Sequence, residues 1–227
     1  ILAAIDRGFT AIGLSGHGYT AFDPGYCMSE KGTRDYCAQI RLLKEKYRDN
    51  NLYRGLIIKE FDILVSLNHP NIVRCYGIEE VEDLGLCIIM EYVDGVTLDK
   101  FLETKPSSAQ RRKVVKQMLN AMDYYHELQL VHRDLKPSNI LITNNAHNVR
   151  IIDFGLADTD YYAVFKEPAF TRQYASPEQL NGEKLDCRSD IYSFGVVLEK
   201  FTDFLTEKKQ KQWKRLVEKC TLFAPDS

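Results

Sequence analysis

The residues best suited to chemistry lie in one short segment, VHRDLKPSNILI at 131–142. This segment carries a carboxylate at Asp134, a cation at Lys136 and an amide at Asn139. A second carboxylate, Asp153, follows an apolar run, fourteen residues after Asn139. Such groups can transfer a proton, neutralise an anion and supply oxygen ligands to a metal ion. An isolated Asp–Asn pair is more often part of a turn, so the interpretation depends on the spacing.

The spacing resembles the catalytic loop of protein kinases, H-R-D-L-x-x-x-N. Six residues carry the resemblance: His132, Arg133, Asp134, Leu135, Lys136 and Asn139. With each residue type near about 5% usage, six fixed positions coincide on the order of once in 10⁷–10⁸ random positions. Three further motifs follow in the family's order, namely Asp153-Phe154-Gly155, Ser176-Pro177-Glu178 and the helical text at 189–198. Coincidence is therefore negligible, and the resemblance covers about residues 9–226.

The resemblance implies transfer of the γ-phosphate of ATP, a reaction in which catalysis is mainly positioning and charge neutralisation. It assigns Asp134 to accept or orient the proton of the substrate hydroxyl, and Lys136 to neutralise the charge that develops on the phosphoryl group. Asn139 and Asp153 would hold the Mg²⁺ ions that bridge the phosphates. His132 would be a packed core histidine rather than a base.

The segment Lys136-Pro137-Ser138-Asn139 resembles the serine/threonine branch of the family rather than the tyrosine branch. Thr171 matches the threonine that contacts the catalytic loop in the same branch. Ser-Pro-Glu-Gln at 176–179 and a short activation loop favour the bacterial type. Arg133, directly before the catalytic aspartate, is linked in the family to phosphorylation of the activation loop. The candidate acceptors are Thr159, Tyr161, Tyr162 and Thr171.

The elements that must position these residues divide the chain into two parts. Up to about residue 91 the sequence predicts one helix, from about Leu52 to Asn68. It also predicts short strands at 9–14, 19–22, 35–43, 72–78 and 84–93. The remainder is mostly helical, with a hairpin through Asn144-Asn145. We therefore expect an α+β, two-lobed protein-kinase fold, with a nucleotide-gripping lobe at 1–91 and a catalytic lobe at 92–227. The second lobe looks trimmed at its end, where the arginine that pairs with Glu178 in the family is missing.

The resemblance also implies a site for the adenine base. Met90 would guard the back of the pocket, Glu91 and Val93 would offer backbone groups, and Leu141 would lie beneath the ring. A second set of four residues would stack as the apolar column that links the lobes: Leu64, Cys75, His132 and Phe154.

The nucleotide grip of the first lobe departs from the family pattern. Glu60 stands where the family has the glutamate that pairs with a strand lysine, and nineteen residues earlier the chain has Arg41. Arginine can pair with Glu60 in a bidentate manner but presents a different geometry to the phosphates. Lys44 is the second candidate for the lysine position, and a one-residue slip would leave Ile40 there.

The glycine-rich loop is also irregular. LSGHGYTAF at 14–22 places Gly16 and Gly18 near the turn, with Phe22 where the family has valine. Glycine is needed there because the backbone N–H groups must approach the phosphates closely. An alternative, DRGFTAI at 6–12, has only one glycine.

Composition limits the other classes of function. A net charge of -2 argues against a nucleic-acid or anionic-membrane binder, and no apolar run approaches the roughly 18–20 residues that span a bilayer. The six cysteines form no CxxC pair, which favours reduced thiols and a cytoplasmic location.

These observations predict a kinase that uses ATP and Mg²⁺ and phosphorylates serine or threonine hydroxyls of a protein substrate. The main alternative is a pseudokinase, a weakly active binding or scaffolding module, which Arg41 and the irregular glycine loop favour. A kinase-fold enzyme acting on small molecules is a third hypothesis, which Thr171 and Ser-Pro-Glu, the family's peptide-docking segment, argue against.

Overall fold

The computed structural model describes residues 51–81, 85–157, 170–201 and 207–222. The three predicted strands before residue 50 lie outside the described residues. The described chain forms two compact units, one built from 51–68 and 73–93 and the other from 69–72 and the residues after 93. The predicted lobe boundary at 91/92 stays a prediction.

The first unit consists of one helix and a two-stranded antiparallel sheet. Helix α1 spans Asn51–Ser66 and buries Leu64 completely. Strand β1 (Cys75–Val81) pairs with β2 (Gly85–Met90), and Cys75 lies opposite Met90. The strand predicted at 72–78 begins three residues later than expected. The reason is that Ile72 belongs to the second unit, where it forms a parallel bridge with Ile151.

A three-stranded antiparallel sheet holds the centre of the second unit. It is formed by β3 (Gly95–Thr97), β4 (Ile140–Thr143) and β5 (Val149–Ile151), in that order. The predicted hairpin through Asn144-Asn145 joins β4 to β5. Gly95 is required at its position because a Cβ atom there would collide with the carbonyl group of Ile142.

Helices α2 (Leu98–Glu103) and α3 (Ser108–Glu127) follow β3. Helix α3 begins with a capping box, in which the Ser107 hydroxyl accepts from the Gln110 N–H and the Gln110 side chain accepts from the Ser107 N–H. The arrangement satisfies two N–H groups that a helix start otherwise leaves without a partner. Its apolar stripe is buried and includes Val114, Met118 and Tyr125.

Three helices complete the described part of the second unit: α4 (Pro177–Leu180), α5 (Cys187–Glu199) and α6 (Glu207–Thr221). Asp186 caps α5 by accepting the N–H of Arg188. Gly195 allows α6 to approach α5, since a Cβ atom on Gly195 would lie 2.7 Å from the Cβ of Cys220.

The mixture of small sheets and helices confirms the predicted α+β class. No helix among the described residues is long and apolar enough to cross a membrane. Within the described ranges, Cys75, Cys187 and Cys220 are free thiols.

Candidate active site

The structure brings the three predicted catalytic side chains together. Lys136 Nζ donates to Asp134 Oδ2 at 2.5 Å, and Asn139 Nδ2 donates to the same oxygen at 3.3 Å and to the Asp134 carbonyl oxygen at 3.0 Å. A 3₁₀ turn over Pro137–Asn139 makes this possible, because it folds the chain back before β4 begins. Asp134 is only 6% exposed, and these hydrogen bonds hold its carboxylate in one orientation.

Thr171 completes the cluster from the far side. Its main-chain N–H donates to Asp134 Oδ1 at 3.0 Å, and its hydroxyl accepts from Lys136 Nζ at 2.9 Å. The predicted contact between Thr171 and the catalytic loop is therefore confirmed. The segment around Thr171 and the catalytic loop form one hydrogen-bonded unit.

His132 is packed, as predicted. It is completely buried, and its ring centroid lies 4.7 Å from that of Phe154. Its Nδ1 accepts the N–H of Asp134 at 3.4 Å, which leaves Nε2 to donate to the carbonyl of Ile152 at 3.0 Å. Both ring nitrogens are thus occupied within the fold, and the imidazole links the catalytic loop to the segment that carries Asp153. Leu64 and Cys75, the other members of the predicted column, lie in the first unit.

The side chain that anchors the catalytic loop was not predicted. Asp190 in the first turn of α5 is completely buried, and its two carboxylate oxygens accept the main-chain N–H groups of His132 (2.8 Å) and Arg133 (2.9 Å). His126 Nε2 lies 3.0 Å from the same carboxylate. The signal in the sequence is the aspartate near the start of the apolar helical segment SDIYSFGVVL. A charged side chain that is buried in such a helix needs hydrogen-bond donors around it.

A second contact missed by the sequence holds the loop from α4. Gln179 Nε2 donates to the carbonyl of Arg133 at 2.7 Å, and the Ser176 hydroxyl caps α4 by accepting the Gln179 N–H. Arg133 has a φ of 65°, in the left-handed region. Such a conformation persists in a non-glycine residue only where neighbouring groups hold it, and Asp190 and Gln179 do so.

The predicted metal ligands lie on adjoining segments. The N–H of Ile152, next to Asp153, donates to the carbonyl of Asn139 at 3.0 Å. Asp153 itself has a φ of 68°. The Asn139 amide nitrogen donates to Asp134, and the amide oxygen accepts the Ser138 hydroxyl at 3.5 Å. The second lone pair of this oxygen could serve a cation. The described ranges contain no group of three or more His, Cys, Asp or Glu side chains arranged for a metal; the predicted pair of one amide and one carboxylate is not such a group.

Glu178 has a partner other than the family's late arginine. Its carboxylate accepts the hydroxyl of Ser189 at 2.7 Å. Arg188 is near enough for the Glu178 charge to contribute to the raised pKa of its guanidinium, although the hydrogen bonds and charge of Asp186 contribute more. The start of α5 therefore fixes α4 as well as the catalytic loop.

The residues predicted to bind the nucleotide are only partly described. Gly16, Gly18, Phe22, Arg41 and the alternative Lys44 lie outside the described residues, as do the candidate phosphorylation sites Thr159, Tyr161 and Tyr162.

Within the first unit, Glu60 lies on α1 and Met90 ends β2. The N–H of Glu91 donates to the carbonyl of Arg74 at 2.8 Å, so this N–H is already used within the first unit. Val93 is half-buried at the end of this unit. Leu141 lies in the second unit, on β4, and is 9% exposed.

Comparison with known proteins agrees with this geometry. The protein kinase domain model matches residues 21–222, a range that begins after Gly18 and includes Arg41. The serine/threonine-protein kinase PknB of Mycolicibacterium smegmatis is 41% identical over 175 residues, which are 73% of this chain and 28% of that protein. PknB of Mycobacterium leprae is 40% identical over the same shares. PrkC of Bacillus subtilis is 34% identical over 70% of this chain and 25% of that protein.

The chain thus spans about a quarter of the length of these bacterial relatives. The domain match nevertheless covers most of the chain and contains the whole Asp134 cluster together with its Asp190 anchor. The chain is a member of the protein kinase family and is similar to bacterial serine/threonine-protein kinases.

Proposed function

We propose that the protein transfers the γ-phosphate of ATP to serine and threonine hydroxyls of a protein substrate. The observation that carries the proposal is the Asp134 cluster, in which Lys136, Asn139 and Thr171 all donate to or contact one buried carboxylate. The similarity to proteins named serine/threonine-protein kinases supports the same conclusion.

Asp134 is proposed as the group that accepts or orients the proton of the attacking hydroxyl. Each carboxylate oxygen can accept about two hydrogen bonds. Oδ1 accepts the N–H of Thr171, and a lone pair therefore remains for the substrate. The fixed orientation favours catalysis because the carboxylate need not reorganise when the hydroxyl arrives.

Lys136 is proposed to contact the phosphoryl group in transfer. An ammonium group has three N–H donors, and two of them are directed to Asp134 Oδ2 and the Thr171 hydroxyl. The third can donate to a phosphoryl oxygen. Because Thr171 also holds Asp134, the hydroxyl-activating and charge-neutralising groups keep a fixed separation.

Asn139 and Asp153 are proposed to hold Mg²⁺. An amide oxygen and a carboxylate are hard donors of the kind that this cation prefers. Bound Mg²⁺ would supply charge neutralisation at the phosphates. The contribution of the chain is to fix the two ligands, Asn139 through Asp134 and the Asp153 segment through His132.

The nucleotide contacts follow the family assignment. We propose that Gly16, Gly18 and Phe22 cover the phosphates and that Arg41 pairs with Glu60 in a lobe formed by 1–91. Four further positions are proposed to contact adenine: Met90, Glu91, Val93 and Leu141. The lobe formed by 92–227 would carry the catalytic groups. A cytoplasmic location is part of the proposal and is supported by the free thiols of the described residues.

The test is transfer of labelled γ-phosphate to peptides that differ only in a serine, threonine or tyrosine acceptor, with Asp153→Ala as the comparison. We expect Mg²⁺-dependent labelling of the serine and threonine peptides, and loss of it in Asp153→Ala. Equal background labelling by both proteins would overturn the proposal. Retained nucleotide binding in that case would identify a pseudokinase.

A further inference from the structure

One buried aromatic residue contacts two parts of the site without belonging to any of its motifs. Tyr125, near the end of α3, is completely buried. Its ring meets the ring of Phe154 edge-on at 5.5 Å and lies 6.4 Å from the ring of His132. Phe154 directly follows the predicted metal ligand Asp153, and His132 belongs to the catalytic loop.

The ring of Tyr125 fixes the direction in which its neighbours can pack. Aromatic pairs prefer edge-to-face or offset geometries over other arrangements, and Tyr125 and Phe154 meet at 84°. Phe154 is completely buried and also tilts against His132. A change in the position of this phenylalanine would move Asp153, because the two residues are adjacent and Asp153 is in a left-handed conformation.

The hydroxyl of Tyr125 has a different environment from its ring. It is buried beside the carboxylate of Asp190. Burial and the nearby Asp190 carboxylate raise the pKa of this phenol well above its ordinary value, so it remains protonated. The hydroxyl thus faces Asp190, whereas the ring meets Phe154, so removal of the hydroxyl alone should leave the packing of Phe154 unchanged.

We propose that Tyr125 is a positioning residue for the metal-binding segment, and that its ring acts through Phe154 to orient Asp153. This inference rests on the proposed function for the role of Asp153. The inference also makes a claim that does not depend on catalysis. It says that the order of residues 151–157 depends on the ring of Tyr125. A plain core residue would support the helix and nothing beyond it.

Three substitutions distinguish a positioning role of the Tyr125 ring from a general role in core packing. Tyr125→Leu removes the ring, and Tyr125→Phe removes only the hydroxyl. Tyr124→Leu is the matched control, because Tyr124 is the neighbouring ring on α3 but stacks on His69 at 5.1 Å. Thermal unfolding of all three variants measures the general loss of packing.

The first readout needs no activity. Hydrogen–deuterium exchange of the peptide spanning 151–157 reports the order of the segment, in which Ala157 N–H donates to the Phe154 carbonyl. We expect faster exchange in Tyr125→Leu, and wild-type exchange in Tyr125→Phe and Tyr124→Leu. Equal exchange in Tyr125→Leu and wild type would overturn the inference. So would the same acceleration in Tyr124→Leu, since it would reflect a loosened helix.

The second readout is the dependence of phosphoryl transfer on Mg²⁺. Displacement of a ligand by a fraction of an ångström should lower kcat of Tyr125→Leu by about 10- to 100-fold, raise the Mg²⁺ concentration for half-maximal rate and leave the KM for peptide unchanged. Tyr125→Phe should restore wild-type values, and an equal loss in Tyr125→Phe would overturn the role of the ring. If the wild type itself transfers no phosphate, the proposed function fails and the exchange experiment alone decides the inference.

Discussion

The carboxylate of Asp190 accepts the main-chain N–H of His132 at 2.8 Å, although fifty-eight residues separate them in the sequence. The same carboxylate accepts the N–H of Arg133. A side chain on α5 therefore holds the backbone of the catalytic loop in place. The side chains of Asp134 and Lys136 are positioned by that backbone. The conformation of the catalytic loop therefore depends on α5.

Removal of this anchor should cost stability and activity together. Asp190→Ala leaves two buried N–H groups without an acceptor, at about 1–3 kcal/mol each, whereas Asp190→Asn keeps one carbonyl oxygen and should lose about 1–3 kcal/mol. Urea unfolding measures the difference, with the capping variant Asp186→Asn as the control. Equal stability of wild type and Asp190→Ala would show that the loop does not depend on this carboxylate.

The close approach of α5 and α6 predicts a packing defect. In Gly195→Ala the new methyl group would lie 2.7 Å from the Cβ of Cys220 and 2.9 Å from the Cγ2 of Thr221. We expect a loss of about 1–3 kcal/mol in the free energy of unfolding, which is typical of overpacking. The control is Gly77→Ala, because a Cβ atom on Gly77 would meet nothing within 4 Å. Partial recovery in the double variant with Cys220→Gly would locate the clash.

Stability should fall in mild acid through His69. Burial lowers the pKa of His69 below its ordinary value of 6.5, and its Nδ1 accepts the N–H of Asn71 at 3.1 Å. The unfolded chain therefore binds a proton at His69 more readily than the folded chain does. The contribution of His69 to the free energy of unfolding is complete above pH 6.5, and it is lost as the pH falls through the lower pKa of the folded state.

Urea unfolding of wild type and His69→Asn between pH 8 and pH 5 tests this prediction. Asparagine keeps an acceptor for the N–H two residues on but does not titrate. The wild type should lose more stability than the variant over that range. Parallel curves for the two proteins would refute the assignment to His69.

Arg41→Lys should raise the rate of phosphoryl transfer. If Arg41 occupies the position of the family's strand lysine, restoring the ammonium group should improve the contact with the phosphates. The expected gain is about tenfold, equivalent to one charge-assisted hydrogen bond of about 1.5 kcal/mol. Lys44→Ala should have little effect. An unchanged rate in Arg41→Lys, together with loss of activity in Lys44→Ala, would assign the position to Lys44 instead.

The sequence predicted that the proposed catalytic side chains share one site, and they do lie together because they are close in the chain; their catalytic roles stay a prediction. Asp134, Lys136 and Asn139 lie within six residues, and a short turn with Pro137 can bring their side chains together. Thr171 was predicted from the resemblance, and its contacts confirm that prediction.

The supporting contacts were harder to predict. Three side chains contact the site from separate helices: Asp190, Gln179 and Tyr125. Sequence periodicity alone would predict a helix-start residue, a surface residue and a core residue at these positions. The start of β1 was also misplaced, because Ile72 pairs with Ile151 across a long separation in sequence. Contacts of this kind depend on tertiary packing, which local patterns do not encode.

Asp134→Asn tests the central claim most directly. The substitution keeps the size of the side chain and one acceptor oxygen but removes the carboxylate proposed to take the hydroxyl proton. Single-turnover transfer of γ-phosphate to a serine peptide should fall by about 10²–10⁴-fold, while Mg²⁺-dependent nucleotide binding persists. Asp123→Asn, the same change at an exposed position of α3, should transfer phosphate at the wild-type rate. A wild-type rate in Asp134→Asn would contradict the account.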